Sequence, residues 1–179
     1  MNRLQEKYQR QIIPLMQKEF AIKNKMAVPK IVKIIVNVGI GDIAKDKTKR
    51  QKSIDTLVKI CGQKPMRMAA KKAVSEFRIR EGDIVGLKCS LRGKRMYQFL
   101  DKLISIVLPR IRDFQGVKKN AFDKQANYNL GLTEQIVFPE VDYDTIDRVR
   151  GLEMAIVSNT DKVIQARRLL ELMGMPFEK

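Results

Sequence analysis

The 179-residue chain contains no histidine. That absence removes the commonest general base and the commonest metal ligand, and with them most catalytic-triad and zinc-site chemistry. Only two cysteines are present, Cys61 and Cys89, each inside an apolar pattern. They read as reduced, buried thiols of a cytosolic protein rather than as a disulfide. Long apolar runs are missing too. None approaches the ~20 residues of a membrane span, and the N-terminal MNRLQEKYQRQIIPLMQ has no apolar signal-peptide core. Aromatic residues make up 6% of the chain, with no RNP-type stacking motif, which disfavours reading of single strands by stacked bases. There is no Walker A loop and no pair of carboxylates placed for acid–base work, and Ser75, Ser90 and Ser105 have no histidine to activate them. These absences argue against an enzyme and predict neither metal nor cofactor.

What is present in excess is positive charge. Lys and Arg number 36 against 20 Asp and Glu, a formal net charge of +16 with a pI near 10.0. A folded chain so unbalanced repels itself unless a polyanion neutralises it. Nucleic acid is the first candidate. An anionic membrane surface is second, and the lack of a basic amphipathic helix with bulky aromatics on its apolar face counts against it. With 44% hydrophobic residues, a chain of this length buries roughly 70% of its unfolded surface and needs no staple.

The periodicities predict alternating element types. Leu4, Tyr8, Ile12, Leu15, Met16 and Phe20 recur at helical spacing over 3–20, with Pro14 expected to kink or restart the helix. KIVKIIVNVGIG (30–41) alternates as a strand, with Ile34, Val36 and Val38 on one side and Lys33, Asn37 and Gly39 on the other. Residues 45–62 predict a helix stopped by Gly62, and 64–68 a short strand. VGLKCSLR (85–92) predicts a strand with Val85, Leu87, Cys89 and Leu91 inward and Gly86, Lys88, Ser90 and Arg92 outward. A helix over 96–111 broken near Pro109, strands over 127–138 and 152–158, and a helix over 160–173 capped by Ser158 or Thr160 complete the series. The expected fold is α+β: a single domain (1–179) with a mainly antiparallel sheet, helices packed on one face, an open basic face, and a long basic hairpin loop at about 70–84. No internal repeat is evident.

Three stretches invite functional readings. Gly39-Ile40-Gly41-Asp42-Ile43-Ala44 is a GxGxxA after a strand, but the acidic partner that a dinucleotide site needs about 20 residues on is absent; Asp55 sits in a helical pattern. The glycines are better explained as a strand end that another backbone approaches closely. Residues 64–80 hold six basic residues (Lys64, Arg67, Lys71, Lys72, Arg78, Arg80) against Glu76, without a regular apolar period, and read as a projecting polyanion-contacting loop. By contrast, 125–147 carries Glu134, Glu140, Asp142, Asp144 and Asp147 and no Lys or Arg, a docking point for a basic protein partner. The run at 45–52 reads as a solvated face. Lys33, Lys64, Lys88 and Arg92 are the candidate phosphate contacts of the open face.

Read together, GQKP (62–65), AKKAVSEFRIREG (70–82), SLRGKRMYQFLDKL (90–103), LPRIRDFQG (108–116), NYNLGLTEQIVFPEVDYD (127–144) and GMPF (174–177) closely resemble, in order and over essentially the whole chain, the bacterial large-subunit ribosomal protein number five. The resemblance implies a cytoplasmic, non-enzymatic ribosomal protein whose sheet face binds 5S rRNA in the central protuberance, with Asn37, Gln63 and Ser90 at the family's RNA-contacting positions. It implies a hairpin loop that carries Lys71, Lys72, Ser75, Arg78 and Arg80 toward peptidyl-site tRNA. It also implies contacts with 23S rRNA, with other proteins of the central protuberance, and with a small-subunit head protein at an intersubunit bridge. Two positions depart from the family: Ser90 stands where threonine is usual, and Met68 where a small hydroxyl residue is usual.

Overall fold

A computed structural model describes residues 2–143 and 146–178. In chain order it runs through α1 (Arg3–Lys7), a π-helical turn at Tyr8–Ile12, α2 (Ile13–Glu19), β1 (Ile31–Gly39), α3 (Lys47–Cys61), β2 (Met66–Ala69), β3 (Ile84–Leu91), α4 (Gly93–Lys102), a second π-helical turn at Leu103–Val107, β4 (Tyr128–Leu132), β5 (Leu152–Ser158) and α5 (Val163–Met173). The strands form one five-stranded sheet in the order β2-β3-β1-β5-β4.

Neighbouring strands run antiparallel. β2 pairs with β3 from Met66 opposite Lys88 to Ala69 opposite Ile84, with a bulge between Met68 and Ala69. Ile40 N–H donates to Val85 O at 2.9 Å where β1 leaves β3. Asn159 N–H donates to Lys30 O at 3.1 Å at one end of the β1–β5 pair, and Asn37 meets Glu153 toward the other. Ser158 Oγ reaches Ala126 O at one end of the β4–β5 pair, and Gly151 lies against the Leu132 carbonyl at the other. In each pair residue numbers rise along one strand as they fall along its neighbour, so the α+β, antiparallel expectation holds.

The chain divides into two compact units, one of residues 1–34, 91–130 and 155–179, the other of 35–90 and 131–154. In the first, α1 is tied to α4 by Arg3, whose guanidinium donates to Asp101 at 2.6 Å and to Ser105 at 3.0 Å. α5 is tied to α2 by Arg168 and Glu19 at 2.9 Å. The predicted kinks take a specific form. Ile13, just before Pro14, donates its N–H to Tyr8 O, and Leu108, just before Pro109, donates to Leu103 O. A proline has no N–H for the carbonyl four residues back, and the widened π turn absorbs that defect. The first helix therefore continues through its proline, and the second tightens into a 3-10 turn at Leu108–Arg110.

The second unit is built on alternation. Val36, Val38, Leu87, Cys89, Leu152 and Met154 are buried, as are Ile54, Leu57, Ile60 and Cys61 on one side of α3. Each such aliphatic side chain removed from water contributes about 1.5–3 kcal/mol. α3 is capped at its start by Asp46, whose carboxylate accepts from the N–H groups of Thr48 and Lys49. It ends at Gly62 in the left-handed conformation, φ 68°, the stop expected of that glycine. Both cysteines are buried thiols, and neither is in a disulfide.

Several expectations are corrected. The strand predicted over 127–138 ends at Leu132, because the buried Gln135 turns its side chain back to donate to Arg148 O at 3.0 Å and the chain enters a 3-10 turn at Gln135–Val137. The last helix begins at Val163 with Lys162 as its N-cap. Thr160 instead accepts from Lys162 N–H and donates to Gln165, and Ser158 donates to Ala126 O and Thr160 O. The helix predicted from 96 begins three residues earlier, at Gly93. Gly86, expected to face outward, is buried beneath Met68, and Val85 is only half-buried.

Candidate nucleic-acid interface

Within the second unit the outward side of β1 presents Asn37 and Gly39, and that of β3 presents Lys88 and Ser90. Ser90 and Gly39 are exposed; Asn37 and Lys88 are half-buried among their neighbours. The bond between Ile40 and Val85 sets the register, which brings Asn37 opposite Lys88 across the β1–β3 pair. Gln63, in the turn after α3, donates from Nε2 to Ser90 O at 3.1 Å, while its own carbonyl faces Cys89 Sγ at 4.0 Å. Gln63 is thereby tied to β3, the strand that carries Lys88 and Ser90. Lys64 is exposed at the entrance to β2. Lys33 and Arg92 belong to the first unit, half-buried and exposed respectively. Lys33 stands on the same side of β1 as Asn37 by alternation.

One participant was not singled out from the sequence. Glu153, exposed on β5, accepts from Asn37 Nδ2 at 3.4 Å. It holds the amide in one orientation and puts a single negative charge on an otherwise basic surface. Alternation in LEMAIVS carries the signal, since inward Leu152, Met154 and Ile156 force Glu153 outward.

The basic loop is a structured hairpin. Ala70 N–H donates to Asp83 O at 2.8 Å and Gly82 N–H to Ala70 O at 3.0 Å, closing the base; Val74 and Ile79 exchange both backbone bonds nearer the tip. Arg78 turns the corner at φ 53°. Every residue from Lys71 to Arg78 is exposed, as is Arg80, including Phe77 at 68%. Ser75 accepts at its main-chain oxygen from Arg78 N–H at 3.0 Å. Lys71, Lys72, Arg78 and Arg80 thus line an exposed finger whose shape is set by main-chain bonds.

The GxGxxA stretch is not a dinucleotide turn. β1 has antiparallel neighbours rather than the parallel partner of a βαβ unit, the N–H groups that open α3 are filled by Asp46, and Asp42 is engaged elsewhere. Nor does a backbone crowd the glycines. A methyl placed on Gly39 would meet nothing within 4 Å, and one on Gly41 only the Ile79 side chain at 3.7 Å. Arg150, with its side chain 7% exposed, pairs with Asp42 at 2.6 Å and Asp147 at 3.3 Å, and Arg148 reaches Asp42 at 3.5 Å. The hydrogen bond from Arg150 holds the Asp42 carboxyl below its ordinary value, with further lowering from the charges of Arg150 and Arg148.

That network also changes the acidic patch. Asp147 is occupied by Arg150, whereas Glu134 and Asp142 are exposed and Glu140 is half-buried. Asp144 lies outside the described residues. Among the described residues no group of three or more His, Cys, Asp or Glu could hold a metal, and no helix is long and apolar enough to cross a membrane.

The sequence matches known proteins along its length. Residues 24–80 match the family model described as ribosomal protein L5, and residues 84–177 match the model of the same ribosomal family's C-terminus. Proteins named large ribosomal subunit protein uL5 from Carboxydothermus hydrogenoformans and from Caldanaerobacter subterraneus subsp. tengcongensis are each 48% identical to it. One of the same name from a Thermoanaerobacter strain is 46% identical, and all three alignments cover 100% of both chains. With both halves matched by the family's models and full-length relatives at nearly half identity, the chain belongs to the ribosomal protein L5 (uL5) family.

Proposed function

We propose that the polar sheet face carrying Asn37, Gln63, Lys88 and Ser90 is the platform on which the chain binds 5S rRNA in the central protuberance. Membership of the family makes the chain a structural, non-enzymatic constituent of the large ribosomal subunit, and hence a protein of cytoplasmic ribosomes. The observation that supports the finer reading is the Gln63–Ser90 bond beside Lys88. It fixes short polar groups and a cation on one rigid surface, where they can offer directional bonds to sugars and base edges and a counter-charge to phosphate. Lys33, Lys64 and Arg92 add phosphate contacts, and 23S rRNA is a second polyanion for the remaining basic surface. The hairpin, with Lys71, Lys72, Ser75, Arg78 and Arg80, reaches peptidyl-site tRNA. The patch of Glu134, Glu140, Asp142 and Asp144 takes a basic small-subunit head protein at an intersubunit bridge, beside neighbouring proteins of the central protuberance.

The platform reading is tested by binding of a 5S rRNA fragment to Asn37→Ala and Gln63→Ala proteins. Each is expected to lose about 1–3 kcal/mol, the cost of leaving a desolvated polar partner unmatched. Wild-type affinity in both would reject the assignment.

A further inference from the structure

Gly39 ends β1 on its outward side, two residues from Asn37, and the fold itself gives no reason for a glycine there. Its φ lies outside the left-handed region, and a Cβ would find open space within 4 Å. Gly131, exposed on β4, likewise has open space around a Cβ and no positive φ, so what sets Gly39 apart is its place beside Asn37; other glycines of the unit are constrained. Gly62 and Gly82 have positive φ, and a Cβ on Gly86 would touch Met68 Cβ at 3.6 Å and Val38 O at 3.7 Å. A glycine in a strand is less favourable than alanine, because more backbone freedom is lost on folding. Gly39 therefore weakens the strand without relieving any strain or crowding inside the protein.

Its surroundings indicate where the compensation lies. The register set by Ile40 and Val85 places Gly39 opposite Gly86, so two residues without side chains adjoin across the β1–β3 pair. Next to them the face carries Asn37 and Lys88. Gly86 is covered by Met68, so it is at Gly39 that the surface steps down to exposed main chain at the edge of its polar groups. We infer that Gly39 is a clearance position, where the ribose–phosphate backbone of bound RNA comes down onto the strand and any side chain would hold it away from Asn37 and Lys88. This rests on the reading of the face as the 5S rRNA platform.

The test compares wild type with Gly39→Ala, Gly39→Val and Asn37→Ala by thermal unfolding without RNA and by affinity for a 5S rRNA fragment. Both Gly39 variants should unfold at the wild-type temperature or above it. Affinity should fall with side-chain size, reaching on the order of tenfold for valine, while Asn37→Ala also weakens binding. Wild-type affinity in Gly39→Val beside a weakened Asn37→Ala would overturn the clearance role and leave the platform standing. Wild-type affinity in all three would overturn both. A fall in affinity accompanied by a lowered unfolding temperature would make Gly39 a structural residue and likewise overturn the inference.

Discussion

The Arg150 guanidinium, buried between Asp42 and Asp147, ties the turn after β1 to the segment entering β5. Asp42 is held below its ordinary value of 3.8 by that guanidinium, so its folded pKa lies below its unfolded one. Its stabilisation is then fully present above the ordinary aspartate value and is lost as pH falls through the folded one. Asp42→Asn should destabilise the protein by about 1–3 kcal/mol at neutral pH, measured by denaturant unfolding. The difference from wild type should shrink as the pH is lowered into the range where Asp42 itself protonates; a constant gap down to that range would contradict the ion-pair account. At this scale the sequence was only partly readable. Alternation found the outward Asn37, Lys88 and Ser90, but Asp42 and Arg150 are separated by 108 positions, and no local pattern joins them. The pattern around Gln135 predicts a strand, and the bond to Arg148 O that turns the chain aside is likewise non-local.

Elements whose cause is local were legible. The α3 helix and its Gly62 stop follow from spacing and from the left-handed conformation that only glycine adopts cheaply, and Gly62→Ala should cost about 1 kcal/mol in stability, read by thermal unfolding. The two prolines announced disruptions of their helices, yet whether a helix breaks or widens depends on the packing around it, so the π turns were beyond sequence patterning. The hairpin's limits were close to those predicted, but its internal order comes from paired backbone bonds between Val74 and Ile79 that its irregular apolar period does not reveal. Because its base is closed by Ala70, Gly82 and Asp83, the tip is separable. Replacing 73–80 with a short turn should leave the unfolding transition and 5S rRNA affinity near wild type and reduce binding to peptidyl-site tRNA on ribosomes. Loss of 5S binding in the folded, shortened protein would show that loop and platform do not divide the work.

Across the whole molecule the +16 charge explains why an RNA partner matters to the folded state as well as to function. Bound polyanion relieves self-repulsion and stabilises the native state by mass action, and binding must weaken as salt displaces the released counterions. Replacing Lys88 by alanine should lower affinity and reduce the salt slope of log K by about 1, seen in a salt titration of binding. Charge alone, however, would favour any RNA equally. The central claim is that fixed polar groups on the sheet, above all Asn37, Gln63 and Ser90, add selectivity to that attraction. The most direct test is competition between a 5S rRNA fragment and an unrelated RNA of equal length for the full chain at about 150–200 mM salt, where non-specific binding is suppressed. The account predicts that the 5S fragment stays bound in the presence of the unrelated RNA and that this preference is lost in the Asn37→Ala, Gln63→Ala double variant. Equal displacement of the two RNAs from the wild-type chain would contradict it.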